Sequence, residues 1–199
     1  MHPGPERLCG IVLAAGSGTR FGGPKAFARR DDGVPWLGLA VDALRAGGCG
    51  RVLVALSATS SAAAALAPAD VTVVVIPDAA DGLGATLRGA LAQALGADVD
   101  AVVILPVDTP GVAPSAIRRV IAEGRGSSDA LVQATYRGRP GHPVLIGRDH
   151  VESLRVALSG DAGARGYLVS HGVREVDCAD LWSGEDVDEQ PDRAAAGPA

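Results

Sequence analysis

The chain has 199 residues, 47% of them hydrophobic, 21% charged and 3% aromatic, and its 18 basic against 23 acidic side chains leave a net charge of −5. That length suits one domain with a substantial core, and the acidic balance argues against a general nucleic-acid surface, so an anionic ligand must be held locally. The abundance of Ala, Gly and Val fits helices layered closely on a sheet.

Residues 1–6 are short, polar and Pro-containing, with no apolar signal segment, and no run approaches the roughly eighteen apolar residues of a membrane span. Cys9, Cys49 and Cys178 are odd in number, widely separated and outside any C-x-x-C pair, which fits a reducing compartment. The expectation is a soluble, cytoplasmic protein with no membrane partner. Residues 7–192 are expected to form a single domain, with 1–6 and 193–199 as disordered tails.

Gly10 to Ala14 is apolar throughout and predicts a central strand covered on both faces. It runs into a glycine-rich loop ending at Lys25, with Arg20 as a second cation. Few side chains there bring backbone N–H groups close to an anion, so the expected ligand is a polyphosphate. Gly16, Gly18 and Gly22 spell G-x-G-x-x-x-G, one residue too long for the dinucleotide fingerprint, while Pro24 and Ala26 break the P-loop pattern.

Leu37 to Ala46 shows helical spacing and stops at Gly47-Gly48. A second strand follows at 51–56, an Ala-rich helix at 60–67 stopped by Pro68, a third strand at 71–76 and a helix at 83–95. Gly82-Leu-Gly-Ala-Thr86 opens that last helix, where free N–H groups and small residues could admit a base or phosphate, or could be an ordinary helix start. A buried strand at 101–105 ends at Pro106. Asp108 stands beyond its end between two prolines, either as a Mg²⁺ ligand or as a turn residue. A helix at 114–123, a strand at 130–135, a loop at 137–142 and a strand at 143–146 come next, then helices at 151–158 and 165–170 and a strand at 173–176. The alternation predicts a three-layer α/β/α fold with a doubly wound, mainly parallel, Rossmann-like sheet and ligands beyond the carboxyl ends of its strands. No G-x-S-x-G elbow exists, neither Cys9 nor Cys49 sits by a base, and His2, His142, His150 and His171 lack zinc spacing, so acyl transfer and transition-metal chemistry have no candidates.

Leu13 to Lys25 resembles, position by position, the signature L-A-A/G-G-x-(S/G)-x-R-(M/F/L)-G-x-x-K of nucleotidyltransferases that activate sugars, isoprenoid precursors and the molybdenum cofactor. The chain is similar to the MobA-like NTP transferases, of the nucleotide-diphospho-sugar transferase fold type. Gly138-Arg-Pro-Gly-His-Pro143 and Ser159-Gly-Asp-Ala-Gly-Ala-Arg165 look like segments of the molybdenum cofactor cytidylyltransferase (MocA-like) branch. The resemblance implies that Leu13, Ala14, Ala15, Gly16, Ser17, Gly18, Thr19, Gly82 and Thr86 contact the nucleotide and that Arg20, Lys25 and Asp108 are catalytic. It also gives Asp108 the metal, in a G/P-x-D-x-P setting. Asp186-Val-Asp188 resembles the family's closing segment and implies a second metal ligand, Asp188 in preference to Asp186, although a solvated acidic tail reads equally well. Arg139, His142 and Arg165 could form a cationic site for a phosphorylated acceptor, His142 being equally readable as a structural histidine.

The implied reaction transfers NMP from an NTP to that acceptor, with Mg²⁺-assisted loss of pyrophosphate. Ala14-Ala15 favours CTP over GTP, and the two branch segments favour molybdopterin. Guanylyl transfer, cytidylyl transfer to a methylerythritol phosphate, an NAD(P)H-dependent reductase of the nicotine blue oxidoreductase type and a non-catalytic nucleotide-binding module remain as alternatives.

Overall fold

The computed structural model describes residues 7–95 and 99–188. The expected tails, and the end of the expected domain at 189–192, lie outside these residues.

Apolar runs become strands buried on both faces. β1 (Leu8–Leu13) lies between β2 (Arg51–Ser57) and β4 (Ala101–Pro106), parallel to both, with Val12 opposite Val54 on one side and Leu105 on the other. β3 (Thr72–Ile76) continues the parallel sheet beyond β2. On the other side follow β6 (Arg139–Gly147), β5 (Leu131–Tyr136) and β7 (Arg174–Asp177), giving the order β3-β2-β1-β4-β6-β5-β7. β6 runs against both β4 and β5, and every other pairing is parallel.

α1 (Trp36–Gly47) and α3 (Pro114–Glu123) cover one face, burying Leu37, Val41, Leu44, Ile117 and Val120. α2 (Leu83–Ala94), α4 (Arg148–Ala157) and α5 (Arg165–Ser170) cover the other through Leu87, Leu91, Val151, Leu154 and Leu168. The expected three-layer, mainly parallel fold is therefore present. Among the described residues no helix is long and apolar enough to cross a membrane.

Two local expectations change. The helix expected at 60–67 is a 3₁₀ stretch, Ala58–Leu66, whose buried residues are Ser60 and Ala63. Inward contacts three residues apart match three residues per turn, and Ser57 and Ser60 close a reciprocal cap at its start. The loop expected at 137–142 is a two-residue hairpin turn followed by strand. Arg137 and Gly138 both have positive φ, as such a turn requires, and Arg139 pairs with Tyr136 at the start of β6.

Candidate active site

The strand order reverses at β1, so a crevice opens beyond the carboxyl ends of β1 and β4. Two backbone bonds anchor its floor: Val107 N–H donates to the Leu13 carbonyl at 3.0 Å and Ala14 N–H to Ala55 at 2.9 Å. The glycine loop starts there. Gly18, at φ +61°, turns its carbonyl back to accept from the N–H groups of Phe21 and Gly23, both at 3.0 Å, and a Cβ at this position would overlap the Gly23 carbonyl. Gly16 differs, since no atom lies within 4 Å of where its Cβ would sit, which leaves its backbone open to a ligand. Phe21 packs on Trp36 at 5.3 Å and returns the loop to the core.

A 3₁₀ turn at Lys25–Phe27 then aims Lys25 at the carboxylates. Its Nζ donates to Asp108 Oδ2 at 2.9 Å and to Asp188 Oδ1 at 3.0 Å. Burial pulls the ammonium down, but the hydrogen bonds and charges of the two aspartates outweigh it and hold Lys25 above its ordinary pKa. Lys25, through its hydrogen bond and charge, keeps Asp188 below the usual carboxylate range. Arg20 reaches Asp188 only at 3.8 Å and is 78% exposed, so its guanidinium can reorient at little cost.

Asp186 and Asp188 arrive from the end of the described chain. After β7, Cys178 N–H donates to the Thr135 carbonyl at 2.9 Å, and Trp182 meets Tyr136 edge to face at 5.2 Å. Val187 N–H then donates to the Asp108 carbonyl at 2.9 Å, bringing the carboxylates on either side of it to Asp108. One oxygen each of Asp108, Asp186 and Asp188 lies within 4.8 Å of the others, the only such group of acidic, His or Cys side chains among the described residues. Three carboxylates against one bridging ammonium leave the cluster negative. All-oxygen donors of this kind fit a hard divalent cation such as Mg²⁺ or Mn²⁺. Asp186 and Asp188, the two alternatives for a second ligand, both lie in this group.

Around this centre lies a cleft of about 1080 Å³. Every expected nucleotide contact from Leu13 to Thr19, together with Gly82 and Thr86, lines it. The glycines at the start of α2 have a second reason to be there. Gly84 N–H donates to the Gly160 carbonyl at 2.8 Å, and a Cβ at Gly82 or Gly84 would strike the 159–162 loop. The two motifs, distant in sequence, interlock, and Thr86 is held within α2 by its hydroxyl donating to the Gly82 carbonyl at 3.3 Å.

The expected cationic acceptor site is reduced. Arg165 lines the cleft, but Arg139 does not, because the hairpin turn leaves it exposed at the start of β6. His142 lines the cleft, yet burial pushes its imidazole down to about 4 against the opposing pull of Asp108 and Asp186. A neutral ring there offers hydrogen bonding and not charge. The strand backbone around it is fixed by Tyr136 OH donating to the His142 carbonyl at 2.7 Å and Gln133 Nε2 donating to that of Gly141 at 3.2 Å. The cysteines supply no nucleophile, since all three are buried and burial pushes Cys9 up to about 11 and Cys49 up to about 12.

Residues 10–176 match the MobA-like NTP transferase domain. The chain is 33% identical to the nicotine blue oxidoreductase of Paenarthrobacter nicotinovorans over 195 residues, covering 91% of this chain and 92% of that one. Its fold superposes on Rv0371c of Mycobacterium tuberculosis H37Rv with a TM-score of 0.78 at 32% identity, covering 92% and 93% of the two chains. A manganese complex of the same mycobacterial protein matches with a TM-score of 0.71 at 30% identity, covering 86% and 88%. A nucleotidyl transferase from Methanothermobacter shares the fold, with a TM-score of 0.75 at 22% identity over 92% of each chain.

Proposed function

The chain belongs to the MobA-like NTP transferase family and is a nucleotidyltransferase, and from that premise we propose that it transfers CMP from CTP to a phosphorylated acceptor, molybdopterin, with Mg²⁺. The observation that carries this reading is one meeting point beyond β1 and β4, where the glycine loop, Lys25 and three aspartates come together. Backbone N–H groups of the loop and Arg20 bind the β- and γ-phosphates, and Lys25 binds the α-phosphate. An acceptor phosphate oxygen bonds to the α-phosphorus as the bond from that phosphorus to the α,β-bridging oxygen breaks, and the electron pair leaves with pyrophosphate.

A phosphomonoester is largely dianionic near neutral pH, its second pKa being about 6, so no side-chain base is needed and a neutral His142 is no obstacle. The demand falls on positioning and charge neutralisation. Asp108, Asp186 and Asp188 would hold Mg²⁺, which supplies neutralisation of the departing pyrophosphate. The manganese complex of the mycobacterial relative supports the use of a divalent ion. Ala14-Ala15 supports cytosine, and the 138–143 and 159–165 segments support the molybdenum branch. The three buried, unpaired thiols support a reducing, cytoplasmic setting.

The test is pyrophosphate release from CTP, GTP, ATP and UTP with Mg²⁺ and molybdopterin or methylerythritol phosphate, with Arg20→Ala and Asp108→Asn as controls. Release with CTP and molybdopterin, lost in both variants, is expected. Wild-type rates in either variant would sink the assignment.

A second reading follows from the relative named nicotine blue oxidoreductase, and oxidation of NADPH by the pigment without pyrophosphate release would favour it. Against it, β2 ends in Ser57, whose hydroxyl is taken by Thr59 at 3.0 Å and Ser60 at 2.9 Å, and not in the acid that binds a dinucleotide ribose.

A further inference from the structure

Resting on the reading that this cleft binds a nucleoside triphosphate, we infer that Asp161 is the residue that reads the base, accepting a hydrogen bond from its amino group and so excluding uracil. The end of the cleft away from the aspartates is walled by Ala14 and Ala15, the end of β2, Pro77 and the start of α2. The hydroxyls on these walls already have protein partners. Ser57 is bonded to Thr59 and Ser60, and Thr86 to the Gly82 carbonyl. Asp161 lines the same cleft, is exposed and makes no hydrogen bond or ion pair among the described residues, so its carboxylate is open to a ligand.

Its place is set from both sides. The 159–162 loop is turned by Ala162 N–H donating to the Ser159 carbonyl at 3.1 Å and fastened to α2 by the Gly84 to Gly160 bond. Arg88 of α2 adds a bond to the Leu158 carbonyl at 3.1 Å and also reaches Asp78. Gly82, at φ +115°, has no side chain where one would run into the Asp161 carboxylate. A carboxylate can only accept. Arg165, at the start of α5, forms no ion pair with it among the described residues.

An acceptor without donors selects its partner by chemistry. The exocyclic amine of cytosine donates, as do the amines of guanine and adenine, whereas uracil presents a carbonyl oxygen at the corresponding position. Two acceptors then face each other and neither is satisfied. Asp161→Asn reverses that logic, because a carboxamide also donates.

The experiment is calorimetric titration of wild type, Asp161→Asn and Asp161→Ala with CTP and UTP, each with Mg²⁺, and with GTP and ITP, which lacks the 2-amine. Thermal melting verifies the fold of each variant. Wild type is expected to prefer CTP to UTP, or GTP to ITP, by at least about tenfold. Asp161→Asn should cut that preference to about threefold or less and strengthen UTP binding, and Asp161→Ala should abolish the preference without strengthening UTP. Wild-type selectivity retained in both variants, or no selectivity in wild type, overturns the role of Asp161 and leaves the nucleotidyltransferase reading standing. Failure of wild type to bind any triphosphate overturns the premise and the inference together.

Discussion

Lys25→Met isolates the one ammonium that bridges the aspartate cluster while keeping most of the stem's packing. Lys25 and Asp108 are 14% and 22% exposed, so their 2.9 Å bond is shielded from solvent, whereas Asp188 is 50% exposed and its 3.0 Å bond is screened. A charged hydrogen bond of the first kind contributes about 1.5–3 kcal/mol and an exposed pair at most about 1 kcal/mol. The variant also leaves three carboxylates, with oxygens within 4.8 Å of one another, without that neutralising charge. The expected loss is about 2–3 kcal/mol in chelator, which at about 2–4 °C per kcal/mol for a chain of this size lowers Tm by about 4–12 °C. Added Mn²⁺ should recover more in the variant than it adds to wild type, since a cation that binds only the folded state stabilises by RT ln(1 + [L]/Kd) and the variant offers it uncontested oxygens. Scanning calorimetry of both proteins in EDTA and across a Mn²⁺ series measures each quantity. Equal Tm in EDTA, or equal Mn²⁺ shifts, would refute the idea that Lys25 and a divalent cation compete for these carboxylates.

The stability difference between wild type and Lys25→Met should also have a defined pH window. Asp188 is depressed when folded, so its share is present above the unfolded carboxyl pKa of about 3.9 and fades as pH falls; Lys25 is raised, so its share is present below about 10.4 and fades as pH rises through the folded value. Chemical denaturation from pH 3 to 11 should give a plateau between, and a difference growing below pH 4 would contradict the assignment. His142 should stay neutral down to about pH 4, so its imidazole resonances should not move between pH 8 and 5.5, and because the unfolded ring titrates near about 6.5, its burial should lower stability as pH falls from there. Gly18→Ala should cost about 1–2 kcal/mol in left-handed backbone strain, beyond the overlap with the Gly23 carbonyl, and should abolish triphosphate binding with far-UV circular dichroism unchanged. Wild-type affinity in that variant would mean that the loop does not cradle the phosphates.

What could be read from the residues was what short-range chemistry determines. The strands at the centre of the sheet announce themselves because burial on both faces demands unbroken apolar runs, and Pro114 marked the start of α3 to the residue. The glycine loop and Asp108 follow directly on the carboxyl ends of the paired strands β1 and β4, whereas Arg20 and Lys25 come later and are brought back by the loop's own turns. β6 was half hidden, because Arg139 to His142 carries Pro and Gly and owes its extended form to pairing with β5. Asp186 against Asp188 could not be decided by spacing, since a single bond from Val187 to the Asp108 carbonyl brings both to the site. His142 looked cationic because burial is not a local property, and the three-cation acceptor site fell with it. That leaves Arg165 as the expected acceptor-binding cation still lining the cleft, at the start of α5 and three residues after the 159–162 loop that carries Asp161 and is fastened to α2. If Asp161 reads the base and Arg165 holds the acceptor as proposed, a substitution that loosens the 159–162 loop should disturb affinity for both substrates, whereas one at Lys25 or Asp108 should act on the triphosphate and its metal first.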